Sequence, residues 1–223
     1  MHVLASALQR PSPSNVGPHT PQDDLQGDEE PRYEQFNLPI IHDPRRNVLE
    51  ESVNFHIGAG SHIANRYQII DFLGSGVFSR AVQCVELATG GMVCVKIIRN
   101  NKDFFDQSLG EIKLLKRLNS ADPHDAHHVL RMLDYFYFRE HLFIVTELLR
   151  DNLYELYKYI ANSDWTPYFS LARIRGIAHQ CLTALDFIHR NGMIHCDLKP
   201  ENILIKSLSR CMIKVVKRLM MLP

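Results

Sequence analysis

The sequence predicts an α+β chain in two lobes, a five-stranded antiparallel sheet with one helix followed by an incomplete helical half. Two patterns predict this. Short apolar runs rich in Val, Ile, Tyr and Phe, separated by glycine turns, fill residues 67–148. From residue 153 onward the apolar residues instead recur at steps of three and four.

Taken in order, residues 1–31 are rich in Pro, Ser, Gln and acidic residues (Pro11-Ser12-Pro13-Ser14, Asp28-Glu29-Glu30-Pro31). They lack the apolar area to offset ordering entropy and are expected to be a disordered tail. Residues 32–65 are mixed, and Tyr33, Phe36, Leu38, Ile40 and Ile41 suggest a short strand or packing arm. Residues 66–149 carry the sheet: strands at Tyr67–Leu73, Ala81–Leu87, Met92–Ile98, Val129–Phe136 and Leu142–Leu148. Thr89-Gly90-Gly91 reads as a hairpin turn. Asp103 reads as the N-cap of a helix whose apolar stripe is Leu109, Ile112, Leu115 and Leu118. Residues 150–216 are expected to hold a short helix at Leu153–Ile160 and a long one marked by Leu171, Ile174, Ile177, Ala178, Cys181, Leu182, Leu185 and Ile188. Asn191-Gly192 would end that helix. A loop at Ile194–Asn202 and strands at Ile203–Ile205 and Cys211–Val216 follow, and residues 217–223 read as a divergent tail.

Composition narrows the class. Of 223 residues, 45% are hydrophobic, enough for a buried core, and 25 basic residues balance 25 acidic ones. With no net charge there is no basic field to suggest nucleic acid or an anionic membrane as partner. Cys84, Cys94, Cys181, Cys196 and Cys211 are odd in number and lack C-x-x-C spacing, which suits reduced thiols in the cytoplasm or nucleus better than disulfides or zinc.

The chemistry sits in three motifs. Gly74-Ser75-Gly76 lies between two strands, and a hairpin turn alone would explain it. Small residues there would also let backbone N–H groups approach phosphates. Ser79 stands where G-x-G-x-x-G has its third glycine. Lys96 ends the apolar run Val93-Cys94-Val95 and is either an edge lysine with its head in water or a buried cation that needs a partner. Glu111, on the next helix between Gly110 and Ile112, is either a solvated charge or that partner. The third motif, His195-Cys196-Asp197-Leu198-Lys199-Pro200-Glu201-Asn202, matches the H-R-D-L-x-x-x-N catalytic loop of protein kinases and carries the reading.

On these residues the chain resembles protein kinases, and more closely the dual-specificity tyrosine-regulated kinases (DYRK) of the CMGC group. Cys196 in place of the loop arginine, Asn100–Ser108 and Asn152-Leu153-Tyr154 are similar to that family. The Gly-Ser-Gly-x-Phe-Ser loop and Tyr135-Phe136-Tyr137-Phe138-Arg139-Glu140-His141 resemble its plant-type branch. The resemblance implies a bilobal kinase fold, ATP and Mg²⁺ as cofactors, and phosphotransfer to Ser, Thr and Tyr of protein substrates. It implies that Asp197 takes the substrate hydroxyl's proton, Lys199 steadies the γ-phosphate and Asn202 binds a metal ion. ATP would meet Leu73, Gly74, Ser75, Gly76, Val77, Phe78, Ser79 and Ala81 of the glycine loop. Lys96 with Glu111 would hold phosphates. Leu73, Cys94 and Leu204 would line the adenine pocket, Thr146 would be the gatekeeper, Glu147-Leu148-Leu149 would be the hinge, and Asn152 and Glu155 would approach the ribose.

One departure matters. Where the family continues into Asp-Phe-Gly, this chain reads Lys217-Arg218-Leu219. It is therefore expected to be a truncated kinase, weakly active or inactive. Non-catalytic ATP binding, an interaction role, or no function of its own are the alternatives. Four or five bulky side chains of the long helix are expected to lose their cover, at about 1.5–3 kcal/mol each, which would favour chaperone association.

Overall fold

A computed structural model describes residues 35–45, 52–162, 168–216 and 220–221. The expected disordered tail at 1–31 and the divergent Lys217-Arg218-Leu219 lie outside the described residues. The elements below all belong to one unit, Phe36–Pro223.

A seven-stranded sheet forms the first half. Its strands are β1 (Ile40–Ile41), β2 (His62–Ile63), β3 (Tyr67–Ser75), β4 (Ser79–Glu86), β5 (Met92–Ile98), β6 (Met132–Phe138) and β7 (His141–Glu147), in the order β1-β6-β7-β5-β4-β3-β2. The five long strands are antiparallel, as their alternating pattern predicts. The sheet is wider than expected because residues 36–63 add a short strand at each edge, and β1 runs parallel to β6. Phe36 and Leu38 pack beside β1, and Tyr137 N–H donates to the Pro39 carbonyl at 2.8 Å. Phe36 and Leu38, together with β1, are therefore a strap across the sheet edge.

Side chains alternate across the sheet. One face buries Ile69, Val82, Cys84, Val93, Val95, Phe143 and Val145 with Phe55 from the arm. The other face receives α1 (Lys102–Ala121) through Ile98, Ile112, Leu142 and Ile144. The cap of α1 is Asn101 rather than Asp103: its Oδ1 accepts from Asp103 N–H and Phe104 N–H at 2.9 and 3.2 Å. Asp103 falls in the first turn instead, where its charge suits the helix dipole.

The second half contains α2 (Leu153–Ala161), α3 (Leu171–Arg190), the pair β8 (Met193–Ile194) and β11 (Met220–Met221), and the hairpin β9 (Ile203–Ser207) with β10 (Met212–Val215). Gly192, at φ +73°, turns the chain after α3, a conformation that favours glycine. Ile177, Cys181, Ala184, Phe187 and Ile188 pack against Ile203, Ile205, Ile213 and Val215. The β9–β10 hairpin thus covers Ile177, Cys181 and Ile188 of the predicted stripe, while Leu171, Ile174, Ala178 and Leu182 stay exposed as the sequence suggested. Large apolar residues well exposed on α3 are Leu171, Ile174 and Leu182. Among the described residues no helix is long and apolar enough to cross a membrane.

Candidate active site

Strand register assembles the first part of the site. Ala81 lies opposite Lys96, Lys96 opposite Ile144, and Cys94 opposite Thr146. Partners across a ladder share a face, as do residues two apart. Ala81, Cys94, Lys96 and Thr146 therefore line the same face of the sheet that α1 covers. Along α1, Glu111 lies beside Ile112, which packs on that face. The Lys96 ammonium reaches both Glu111 oxygens, at 2.8 and 2.6 Å. Both side chains are partly buried, so each charge needs the other. Burial pushes the Cys94 thiol up, against the pull of Thr146's hydrogen bond and Lys96's charge. Cys94 thus stays a neutral thiol between Lys96 and Thr146.

The second part is the loop before β9. Pro200–Asn202 forms one 3-10 turn, closed by Asn202 N–H donating to the Lys199 carbonyl at 2.9 Å. Asn202 is buried, and its Nδ2 donates to the Asp197 carbonyl at 2.7 Å and to Asp197 Oδ2 at 2.9 Å. These two bonds use the amide nitrogen and leave Oδ1 as the acceptor end. Lys199 Nζ stands 3.2 Å from Asp197 Oδ1. His195 Nε2 lies 3.1 Å from the Val216 carbonyl, tying the loop to the end of β10. Asp197, Lys199 and Asn202 are one hydrogen-bonded group, with a carboxylate, a cation and an amide oxygen within a few ångströms.

The glycine loop is the β3–β4 hairpin. Gly74 pairs with Ala81 and Ser75 with Arg80, and Gly76 N–H donates to the Ser79 carbonyl at 2.8 Å. Leu73 and Val77 are exposed. Phe78 packs edge-on against Phe104 of α1 at 5.0 Å. Leu204 bridges Asn152, which places β9 beneath the chain leaving β7. Asn152 Oδ1 accepts from Glu155 N–H at 2.9 Å, so that side chain caps α2.

Residues 67–216 match the family described as protein kinase domain. That match covers more than half of the chain and contains every site residue described above. The chain belongs to the protein kinase family. Curated relatives place it among DYRK kinases. It is 40% identical over 167 residues to the DYRK-family kinase pom1 of Schizosaccharomyces pombe, covering 75% of this chain and 15% of that protein. It is 39% identical over 167 residues to dual specificity tyrosine-phosphorylation-regulated kinase 2 of Drosophila melanogaster, covering 75% and 23%. A probable serine/threonine-protein kinase dyrk2 of Dictyostelium discoideum is 41% identical over 182 residues, covering 82% and 19%. The chain therefore spans about a fifth of the length of these relatives.

Sequence reasoning missed two features of this kinase domain. The first is Arg99, whose guanidinium donates to Ser75 Oγ at 3.1 Å and the Gly76 carbonyl at 3.2 Å, and also bonds Asn54 of the arm. It ties the arm to the glycine loop. No local pattern marks it, because its partners lie 24 and 45 residues away. The second is a charge cluster behind the hinge. Lys214, 1% exposed, pairs with Asp125 and stands 3.6 Å from Glu147. Lys206 reaches the same two carboxylates at 2.7 and 3.0 Å. Burial pushes Asp125 up, but Lys206 and Lys214 outweigh it and hold the carboxyl below its ordinary range. The Glu147 side chain accordingly points into this cluster. A lysine amid Ile213, Val215 and Val216 was the available signal, of the same kind that marked Lys96.

Proposed function

We propose that this chain is an ATP-binding protein kinase domain of the DYRK type with little or no phosphotransferase turnover. The Lys96–Glu111 pair carries the first half of this reading. Its two bonds at 2.6 and 2.8 Å hold a cation on the face shared by Ala81, Cys94 and Thr146. A triphosphate needs such a cation, and adenine suits the apolar and hinge groups beside it.

Residues 217–219 carry the second half. Mg²⁺ is held by one or two carboxylates together with substrate phosphates. Of this loop's groups, Asn202 Oδ1 suits a metal, but a neutral amide oxygen is a weak anchor, and the residue after Val216 is a lysine. The donor set fits ATP better than it fits Mg²⁺. Phosphoryl transfer depends on positioning and charge stabilisation. Loss of a metal anchor removes several kcal/mol of that stabilisation, roughly a thousandfold or more in rate. Asp197 and Lys199 can still orient a hydroxyl and meet a phosphate.

A non-catalytic ATP-binding module is the second reading, favoured by the same Lys217-Arg218-Leu219 sequence. The protein substrates are Ser, Thr or Tyr side chains by family, and the five free cysteines suit a reducing compartment, cytoplasm or nucleus. Exposed Leu171, Ile174 and Leu182 offer an apolar stripe to a chaperone. Radiolabelled ATP with a basic protein substrate tests the activity: transfer near background is expected. Turnover at ordinary kinase rates, abolished by Asp197→Asn, would overturn it.

A further inference from the structure

The cluster behind the hinge is a closed ring. Asp125 Oδ1 faces Lys214 and its Oδ2 faces Lys206 at 2.7 Å. Glu147 Oε1 faces Lys214 at 3.6 Å and its Oε2 faces Lys206 at 3.0 Å. Each carboxylate is shared between both lysines, and each lysine between both carboxylates. The members come from four places: the segment between α1 and β6, the end of β7, β9 and β10. Arg131 braces the ring, its N–H donating to Glu147 Oε1 at 3.0 Å and its guanidinium 3.6 Å from Asp125.

Stability alone is a poor account of this arrangement. Lys214 is nearly fully buried. A buried ion pair often contributes no more than an apolar replacement of similar volume, whereas breaking one is costly. What the ring does uniquely is join Glu147 to the hairpin below it. Backbone bonds flank that junction on both sides: Glu147 N–H to the Arg131 carbonyl at 3.0 Å, and Arg150 N–H to the Ile205 carbonyl at 2.8 Å. Residues 147–149 lie between these anchors.

We infer that the Asp125–Glu147–Lys206–Lys214 ring is a latch that fixes the path of the hinge and thereby sets affinity for the adenine end of a nucleotide, not its phosphate end. This rests on the ATP-binding reading for its ligand, but not for its effect on the hinge. Lys206 and Lys214 are positioning residues: they act through Glu147.

The test compares the wild type with Lys214→Met, and with Lys206→Met in case loss of the buried lysine prevents folding. Ile63→Val, in the sheet core away from the hinge, serves as a stability control. Two readouts are taken: amide hydrogen exchange at residues 147–151 without ligand, and binding of ATP, adenosine and inorganic tripolyphosphate. The latch predicts hinge exchange about tenfold faster. It also predicts ATP and adenosine binding weakened together by about fivefold or more, with tripolyphosphate unchanged and Ile63→Val altering neither readout. Lys206→Arg should restore both. Unchanged hinge exchange, or an equal loss of tripolyphosphate binding, overturns the latch. If the wild type binds none of the probes, the nucleotide reading fails and hinge exchange alone decides the latch.

Discussion

Lys96 and Glu111 show how a single pair of residues binds strand, helix and cleft together. Replacing Lys96 by Met removes charge-assisted bonds of about 1.5–3 kcal/mol from any bound phosphate. ATP affinity is expected to fall about tenfold to a hundredfold, as read by titration calorimetry. Unchanged affinity would contradict the site. The cysteines supply a second prediction. Burial pushes the Cys84 thiol up to about 12, with the neighbouring Cys94 adding to the shift, while Cys196 is exposed beside Asp197. The thiolate is the reactive form. Iodoacetamide should therefore label Cys196 well before Cys84, as mass spectrometry would show, and early labelling of Cys84 would refute its burial.

Among the elements, α1 and α3 were the most legible in the sequence because their apolar stripes are long and periodic. Boundaries were less so. Asp103 lies in a helical first turn and Asn101 caps it, a choice set by which side chain folds back onto the N–H groups. Asn101→Ala should lower stability by about 1 kcal/mol, measured by urea denaturation. The pairing of the edge strands β1 and β2 was hard to foresee, although Ile40 and Ile41 had suggested a short strand. Two residues each, they carry too little alternation, and their pairing depends on partners far away in sequence. Helix α3 separates two classes of apolar residue. Ile177→Ala, against the β9–β10 hairpin, should cost about 2–4 kcal/mol. Leu182→Glu, on the exposed side, should change stability by less than about 0.5 kcal/mol and improve solubility. The sequence treated both as one stripe; the hairpin decides which half is buried.

At the scale of the molecule, the kinase catalytic loop was readable because eight consecutive residues carry it. Arg99 and the ring around Lys214 were not, because their meaning exists only once distant segments meet. That ring also shapes the pH response. Asp125 and Asp122 are held below the ordinary carboxylate range, Asp125 by Lys206 and Lys214 against burial, Asp122 by the Ala126 and His127 N–H groups and the His127 ring against burial. Their stabilisation is present above that range and lost as pH falls through the depressed values. Burial lowers Lys206, yet Asp125 and Glu147 hold it above its ordinary value of 10.5, so its contribution is lost only as pH rises past the raised value. Thermal stability should therefore be flat near neutrality and fall on the acid side, with Asp125→Asn flattening part of the acid limb.

The central claim is a nucleotide cleft whose metal set is incomplete, and ATP titration with and without Mg²⁺ tests it most directly. Binding that weakens about tenfold or more in Lys96→Met and gains little from Mg²⁺ is the predicted result. No binding under either condition, or binding that appears only when Mg²⁺ is present, would contradict it.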